Sequence, residues 1–484
     1  MEKAFLKYIY RRHCKFDEHS EVVNEIEKTV QSIVDKVLAR VAKKTPVLEI
    51  SKTVSGGSFY EQTKVGAPDE FDYMVIVQLL SLPGTVKLEE GCTPWYKKIH
   101  ITSDADKYKD YLESEDKLSN ELLTRKFWGS LLVQCQNEVI SETFKYGTIR
   151  TKGCKSRKLL LEYIKHERVE TLEVNYDENQ VSDSKELVHL PYMEIGVDLM
   201  IAIDYPNIAD VFSQEGFPSE WSDLVREKGC QLVAKSCQSL NPCSTCWHVS
   251  LATSESSLMR EMDAKHKKCY QVLKYLMIRE VSFPGKCANL SSYMLKNAFM
   301  FHVYGKTNCS KDEQSCIYAV LDYIAYNFRQ GKMPCFLSRN IDTWGPVLKF
   351  PALATRSGRY PNTFLDEGTL GIEWYAVCWL ELWCRVVLKV QSLLREVKTH
   401  DDQAIQEQFY MMKESMVLLI ECYCKHTNFI QMPADSKDCK LPTSISETEM
   451  NTHFIRYFKR LQELFDVKLG NLVSEEIYTI TSSN

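Results

Sequence analysis

The clearest periodicity in the chain runs over residues 20–44. Apolar side chains fall at Val22, Val23, Ile26, Val30, Ile33, Val34, Val37, Leu38 and Val41, the three-and-four spacing of one helix face. Ser20 supplies an N-cap and Thr45-Pro46 stops the pattern, so the spacing predicts one helix of about six to seven turns. Two other apolar runs lack that period. Residues 71–77 (FDYMVIV) and 193–205 (MEIGVDLMIAIDY) are short and rich in β-branched and aromatic residues, and read as buried strands. Between them lie a Pro-Gly turn, loop signals and polar strands over 81–120, then a helix over 117–142 and an acidic, loop-like stretch over 170–186. Past Pro218 the pattern turns helical and stays so, and residues from Trp221 onward read as a helical second lobe. Its last part, 371–484, carries apolar stripes at 411–423 and 454–465.

The chemistry gathers in residues 56–77, GGSFYEQTKVGAPDEFDYMVIV. Glu70 and Asp72 stand two apart at the start of the strand, so they share one face. Neighbouring carboxylates repel and raise each other's pKa unless a cation sits between them. The ion suited to such a pair is hard and divalent, Mg²⁺ or Mn²⁺, held by carboxylates and by substrate phosphates. The Gly57-Ser58 turn complements it, because glycine lets backbone N–H groups approach a triphosphate and the serine adds a hydroxyl. Asp198 lies inside the second apolar strand, where a carboxylate is costly unless paired or bound to metal, and is the natural third ligand. Asp204 competes for that place, but it stands where the strand gives way to Tyr205-Pro206 and reads as solvated.

Composition narrows the class. The 484 residues allow two to four average domains or one bilobed unit, and 44% hydrophobic with 11% aromatic residues supply a large core. A formal charge of −5 is mild, so binding to nucleic acid would rest on local patches. The opening MEKAFLKYIYRRHC has too short an apolar stretch for a secretory signal. The most apolar segment, 374–390, is broken by Glu381 and Arg385 and reads as a buried helix, so no membrane contact is expected. Eighteen cysteines without a compact framework fit a reducing compartment, and a soluble cytoplasmic protein is expected.

A Gly-Ser turn followed by an acidic pair on a strand resembles the signature of the nucleotidyltransferase superfamily. The wording GSFYEQTKVGAPDEFD resembles its cyclic GMP–AMP synthase-like branch, including the Mab developmental relatives. The resemblance implies an α+β, bilobed nucleotidyltransferase fold: an N-terminal lobe with a long spine helix and a mixed β-sheet, and a helical-bundle lobe after it. The expected divisions are 1–50 for the N-terminal segment and spine helix, 51–215 for the catalytic core, 216–370 for the helical lobe and 371–484 for a helical extension. Asp198 matches the family's third catalytic acid. Residues 247–259 (WHVSLATSESSLM) resemble the family's Trp-Arg-x-Ser-Phe-Ser-x-x-Glu segment, which puts Ser250 and Glu255 on nucleotide-contacting positions. His248 stands where an arginine helps to read a purine base, and Ala252 stands where the family has serine. Losing a planar bidentate donor removes a means of reading guanine. Lys274 in LKYLM matches a phosphate-binding lysine, and Ser292 and Tyr293 in LSSYMLKNAF match a phosphate-binding serine and a base-stacking tyrosine.

The activity so implied joins two nucleoside triphosphates into a cyclic dinucleotide with release of pyrophosphate. Glu70, Asp72 and Asp198 would hold two Mg²⁺ or Mn²⁺ ions across the attacking and leaving oxygens. Two other readings stay open: a catalytically silent Mab-type interaction module, and an oligoadenylate synthetase-like enzyme that makes linear chains. The zinc ribbon of vertebrate cyclic GMP–AMP synthase is not expected, because the interval 260–273 is short and offers only His266 and Cys269. Cys243-x-x-Cys246, with Cys237, Cys230 and His248 nearby, remains a separate zinc candidate. Without a ribbon the resemblance points to double-stranded RNA as the activator in preference to DNA, recognised by shape and phosphate contact. The candidate contacts are Lys36, Arg40, Lys43 and Lys44 on the spine helix and Arg150, Lys152, Lys155, Arg157 and Lys158 in the basic stretch 144–168, with Lys265, Lys267 and Lys268 as a third patch. Dimerisation on the ligand is kept open.

Overall fold

The computed structural model describes residues 2–15, 20–92, 95–137, 141–155, 158–166, 192–207, 219–235, 243–279, 291–305 and 312–329, with short pieces that include Cys237, Cys309, 333–337, parts of 387–395, and 401–407. They fall into two units, one of residues 11–262 and one that joins residues 1–10 to those from 263 onward. Helix α1 (Glu2–Ile9) belongs to the latter.

In the 11–262 unit, helix α2 (Glu21–Lys44) fills the expected span. Ser20 is extended and its hydroxyl accepts the Val23 N–H at 3.2 Å, satisfying one of the open donors of the first turn. Glu21 at the start and Lys43 and Lys44 at the end suit the helix dipole. The buried face runs Val23, Ile26, Val30, Ile33, Val34, Val37, Leu38 and Val41. It packs on α4 (Asn120–Asn137) and on the sheet. The short turn α3 (Gly57–Tyr60) follows strand β1 (Ile50–Gly56) and leads to β2 (Glu70–Val77). The sheet also takes in β3 (Val86–Glu90), β4 (Tyr96–Ile101), β5 (Ser141–Phe144), β6 (Gly147–Lys155), β7 (Lys158–Lys165) and β8 (Tyr192–Tyr205).

Strand β8 organises this sheet. It runs parallel to β2 over 196–202 and antiparallel to β7 over 192–198. Buried and open positions alternate along its first half: Met193, Ile195, Val197 and Leu199 are buried, while Glu194, Asp198 and Met200 face the other way. Asp198 is therefore not sealed in an apolar interior, as its sequence neighbours suggested. Its side chain keeps 27% of its surface on the open face. Strand β2, by contrast, is buried continuously from Tyr73 to Val77, as expected of a strand covered on both faces.

Among the described elements, the extent of two differs from the sequence-based expectation. The helix expected over 117–142 ends at Asn137, and β5 begins at Ser141. The helical character expected from Trp221 is interrupted after α5 (Ser222–Lys228) by two strands, β9 (Cys230–Val233) and β10 (Cys246–Ser250), so the sheet continues to Ser250. Strand β9 pairs with the end of β8, and β10 joins β9 to β4. Met74, Ile76, Ala202 and Val233 close one core cluster across β2, β8 and β9, with Ala252 of α6 (Ala252–Glu261) packed against it.

The other unit is helical among its described residues. Helices α7 (Ala264–Lys274), α8 (Ser292–Tyr304) and α9 (Glu313–Arg329) pack on one another, and α1 packs on α9. Asp263 caps α7 and Ser291 caps α8, each accepting an N–H three residues on. The apolar stripes at 411–423 and 454–465 lie outside the described residues, as do nearly all of 374–390 and the loop 170–186. No helix among the described residues is long and apolar enough to cross a membrane.

The cap on α2 gives a direct test. Ser20→Ala should lower stability by about 1 kcal/mol, and Ser20→Asp should restore it. Urea unfolding followed by circular dichroism measures both, and an unchanged midpoint in Ser20→Ala would show that packing alone sets the start of the helix.

Candidate metal and nucleotide site

Strand register assembles the acidic site. Gly56 pairs with Asp72, Asp72 pairs with Asp198, and Asp198 pairs with Lys158, so one row crosses β1, β2, β8 and β7. Glu70 stands two residues before Asp72 on the same face. Oxygens of Glu70, Asp72 and Asp198 all lie within 4.8 Å of one another. The Lys158 ammonium lies 2.8 Å from Glu70 Oε1 and 3.1 Å from Asp198 Oδ2. Gly57 approaches Asp72 so closely that a Cβ there would overlap the carboxylate, and its φ of +74° is one that glycine adopts without strain. This turn thus needs glycine on two counts.

Burial and neighbouring charges together explain each group's titration. Burial, then the charges of Glu70 and Asp198, push the Asp72 carboxyl up to about 7. Asp198 is also raised, by burial first, with Lys158 working against the rise. At Glu70 the upward effect of burial is outweighed by the hydrogen bond and charge of Lys158, which hold it below its ordinary value. Burial alone would lower Lys158, but its bonds to Glu70 and Asp198 raise it. A divalent cation fits this donor set: three carboxylates converge from two strands, and a lysine ammonium already occupies the kind of place such an ion would take.

Residues 59–261 match the Mab-21 protein nucleotidyltransferase domain. The chain carries a Mab-21 nucleotidyltransferase domain. Over 302 residues it is 20% identical to cyclic GMP-AMP synthase of Mus musculus, covering 58% of this chain and 53% of that protein. It is 23% identical over 315 residues to the Sus scrofa cyclic GMP-AMP synthase, covering 60% and 55%. It is 25% identical over 306 residues to a cyclic GMP-AMP synthase-like receptor of Microplitis demolitor, covering 61% and 52%. The chain spans about half the length of the curated relatives it matches.

The Mab-21 domain holds the three acids, Lys158, His248, Ser250 and Glu255, and begins one residue after Ser58. Ser58 sits in the α3 turn, where its carbonyl accepts the Thr63 N–H at 2.9 Å. His248 on β10 stacks on Trp95 at 6.0 Å and meets the Tyr96 ring edge-on at 5.3 Å. Burial, with Lys235 adding to it, lowers this imidazole to about 3, so it stays neutral. Ser250 accepts the Ala252 N–H at 3.3 Å and opens α6, on which Glu255 is 4% exposed. Asp204 stands apart from the trio, with Lys52 Nζ at 2.6 Å and the Gln231 amide at 3.2 Å. It is ion-paired, and so not simply solvated.

Outside the Mab-21 domain, the Lys274 ammonium lies 6.0 Å from the Tyr270 ring centroid, and the Tyr270 hydroxyl donates to the Ser292 carbonyl at 3.4 Å. Tyr293 is exposed, and its hydroxyl lies 3.5 Å from Cys335 Sγ. Lys274, Ser292 and Tyr293 belong to the unit that joins residues 1–10 to those from 263 onward.

The expected basic surface is only partly basic. Lys36, Lys43 and Lys44 are exposed on α2, and Arg40 is half-buried. Arg150 pairs with Glu162 at 3.0 Å and Lys152 with Glu194 at 2.7 Å, a cross-strand ladder of mixed charge. Lys158, counted from sequence among the nucleic-acid contacts, turns into the acid site instead. The Lys155 side chain and Arg157 lie outside the described residues. Of the zinc candidates, Cys237, Cys243 and Cys246 do meet, with all sulfurs within 4.8 Å. Their fourth partner is Cys92, on the β3–β4 link, whose N–H donates to Cys246 Sγ at 3.3 Å. Cys230 and His248 are not part of this set; the Cys230 thiol donates to the Tyr205 carbonyl.

Two measurements test these electrostatics. Asp72 binds its proton more tightly folded than unfolded, so in Mg²⁺-free buffer stability should fall as pH rises from about 4 to about 7, and Asp72→Asn should flatten that slope. Denaturation midpoints across that range decide it. Lys158→Gln should tighten Mn²⁺ binding to the nucleotide-free protein by about tenfold, read by electron paramagnetic resonance titration. Weaker binding in that variant would show that Lys158 does not stand in a cation's place.

Proposed function

We propose that the chain is a nucleotidyltransferase that joins two nucleoside triphosphates into a cyclic dinucleotide, is switched on by double-stranded RNA, and works in the cytoplasm. The observation that carries this reading is the row of Asp72, Asp198 and Lys158, with Glu70 on the same face and Gly57 against it. Glu70, Asp72 and Asp198 would hold the divalent ions, and such ions supply charge stabilisation of the attacking and leaving oxygens in an in-line displacement of pyrophosphate. The remaining work falls to the chain. Without a side chain, Gly57 leaves room for the Asp72 carboxylate, and its turn would let backbone N–H groups approach a triphosphate. Asp72, with its carboxyl pushed up to about 7, is only partly ionised at neutral pH and would release its remaining proton to a bound cation's field. Lys158 neutralises the acids in the absence of substrate and is a point charge for phosphate once they are occupied. Ser58 adds a donor beside that turn.

Lys274, Ser292 and Tyr293 are assigned to phosphate and base, with base choice left to stacking, which tolerates any base at about 1–3 kcal/mol. His248 is neutral and held between two aromatic rings, so it does not replace an arginine's two charged donors. For RNA, the exposed Lys36, Lys43 and Lys44 are the best-placed contacts. Arg150 and Lys152 could join by exchanging weak surface ion pairs for phosphate.

The purified chain should be incubated with the four nucleoside triphosphates and Mg²⁺ or Mn²⁺, with double-stranded RNA, double-stranded DNA or neither. A cyclic dinucleotide formed with RNA, and reduced by at least about 10²-fold in Asp72→Asn and Asp198→Asn, is the expected result. Linear oligonucleotides in its place would make the chain an oligoadenylate synthetase-like enzyme. An absence of product with every activator would overturn the catalytic reading in favour of an interaction module.

A further inference from the structure

The unit that joins residues 1–10 to those from 263 onward contains a second group of metal-binding side chains that the proposed reaction does not use. His266, in the first turns of α7, and His302, near the end of α8, converge with Cys309 on the α8–α9 link and Cys316 at the start of α9. His266 Nε2 lies 2.9 Å from Cys309 Sγ and 3.5 Å from Cys316 Sγ. Cys309 Sγ lies 3.5 Å from His302 Nε2 and 3.5 Å from Cys316 Sγ. All four ligand atoms fall within 4.8 Å of one another. A tetrahedral zinc ion with Zn–S of about 2.3 Å and Zn–N of about 2.0–2.1 Å requires ligand-to-ligand distances of about 3.3–3.8 Å. Three of the four distances meet that requirement, and the fourth needs a shift of a few tenths of an ångström.

We infer that His266, His302, Cys309 and Cys316 form a structural zinc site that fastens α7, α8 and the start of α9 together. The support reaches beyond the four ligands. Asp263 accepts both the His266 backbone N–H at 2.9 Å and its Nδ1 at 2.8 Å. The carboxylate therefore fixes the proton on Nδ1 and presents a bare Nε2 to the cluster, the carboxylate–histidine arrangement typical of zinc ligands. His266, His302 and Cys316 are buried, so two imidazoles and a thiol face one another where water is scarce. Four protein ligands of mixed nitrogen and sulfur close the coordination sphere, which marks a structural site and excludes one that activates water. Cys269, the other residue of the interval 260–273 that could bind metal, is not a ligand; its thiol donates to the Glu313 carbonyl at 3.5 Å. The site is therefore not a ribbon inserted between two helices. Three of its ligands stand seven apart along the chain, and they are tied to a histidine from a preceding helix.

The zinc content of the full chain, purified from zinc-supplemented medium, should be measured by plasma mass spectrometry beside the double variant His302→Ala/Cys316→Ser. The variant should lose one equivalent of zinc per chain, whatever the separate four-cysteine cluster holds, and Cys269→Ser should lose none. Equal zinc in the wild type and the double variant would overturn the proposal. Because the double variant could fail to fold, zinc-edge absorption fine structure on the wild type provides an independent readout. Two sulfur and two nitrogen neighbours, or an average of three and one if the four-cysteine cluster is also filled, support the site. Four sulfurs alone, or no bound zinc, would overturn it.

Discussion

The pairing of β2 with β8 is the constraint on which the candidate site depends. Parallel neighbours in register put Asp72 directly beside Asp198, and the pleat puts Glu70 on the same face. Three carboxylates held this close would repel, and the fold relieves part of that repulsion with the one residue of β7 that faces Asp198, Lys158. Charge and backbone geometry are not separable here, because the row of register that brings the acids together also delivers the cation that makes their proximity tolerable. Gly56 completes the same row from β1, and at Gly57, the next residue, any larger side chain would fill the space that Asp72 needs.

Much of this was legible in the sequence. The period of α2 and its Ser20 cap are local properties, written within a few turns of one another, and the structure reproduces them. The two apolar strands were equally plain, because runs of β-branched and aromatic residues declare themselves without knowledge of their partners. What failed to show was whatever depended on register or on distant partners. Lys158 belongs by composition to a basic stretch, and only the β7–β8 alignment turns it toward the acids. Strands β9 and β10 are four and five residues long and lack a clear period, so the helical composition around them concealed them. Asp198 looked buried because its sequence neighbours are apolar, yet alternation along β8 places it on the open face.

Cysteine use divides in the same way. The C-x-x-C pair was visible, but its fourth partner, Cys92, comes from another strand connection, and the His266 cluster draws on three helices. Spacing rules find metal sites whose ligands are close in sequence, and they miss sites built by packing. Both clusters are of the second kind, at least in part.

The position of β8 in the chain has a consequence for how the protein is made. Its partner β2 lies far upstream, so on the ribosome the paired strand would follow only after on the order of ten seconds of further synthesis. During that interval β2 has β1 on one edge but lacks its parallel neighbour on the other, and its buried run from Tyr73 to Val77 is an adhesive edge. Non-local parallel pairing is also slow to nucleate, because the intervening loop must close first. The acids at the start of β2 would act meanwhile as like-charged gatekeepers beside that edge, so the residues assigned to catalysis in the finished protein would also hinder aggregation of the nascent one.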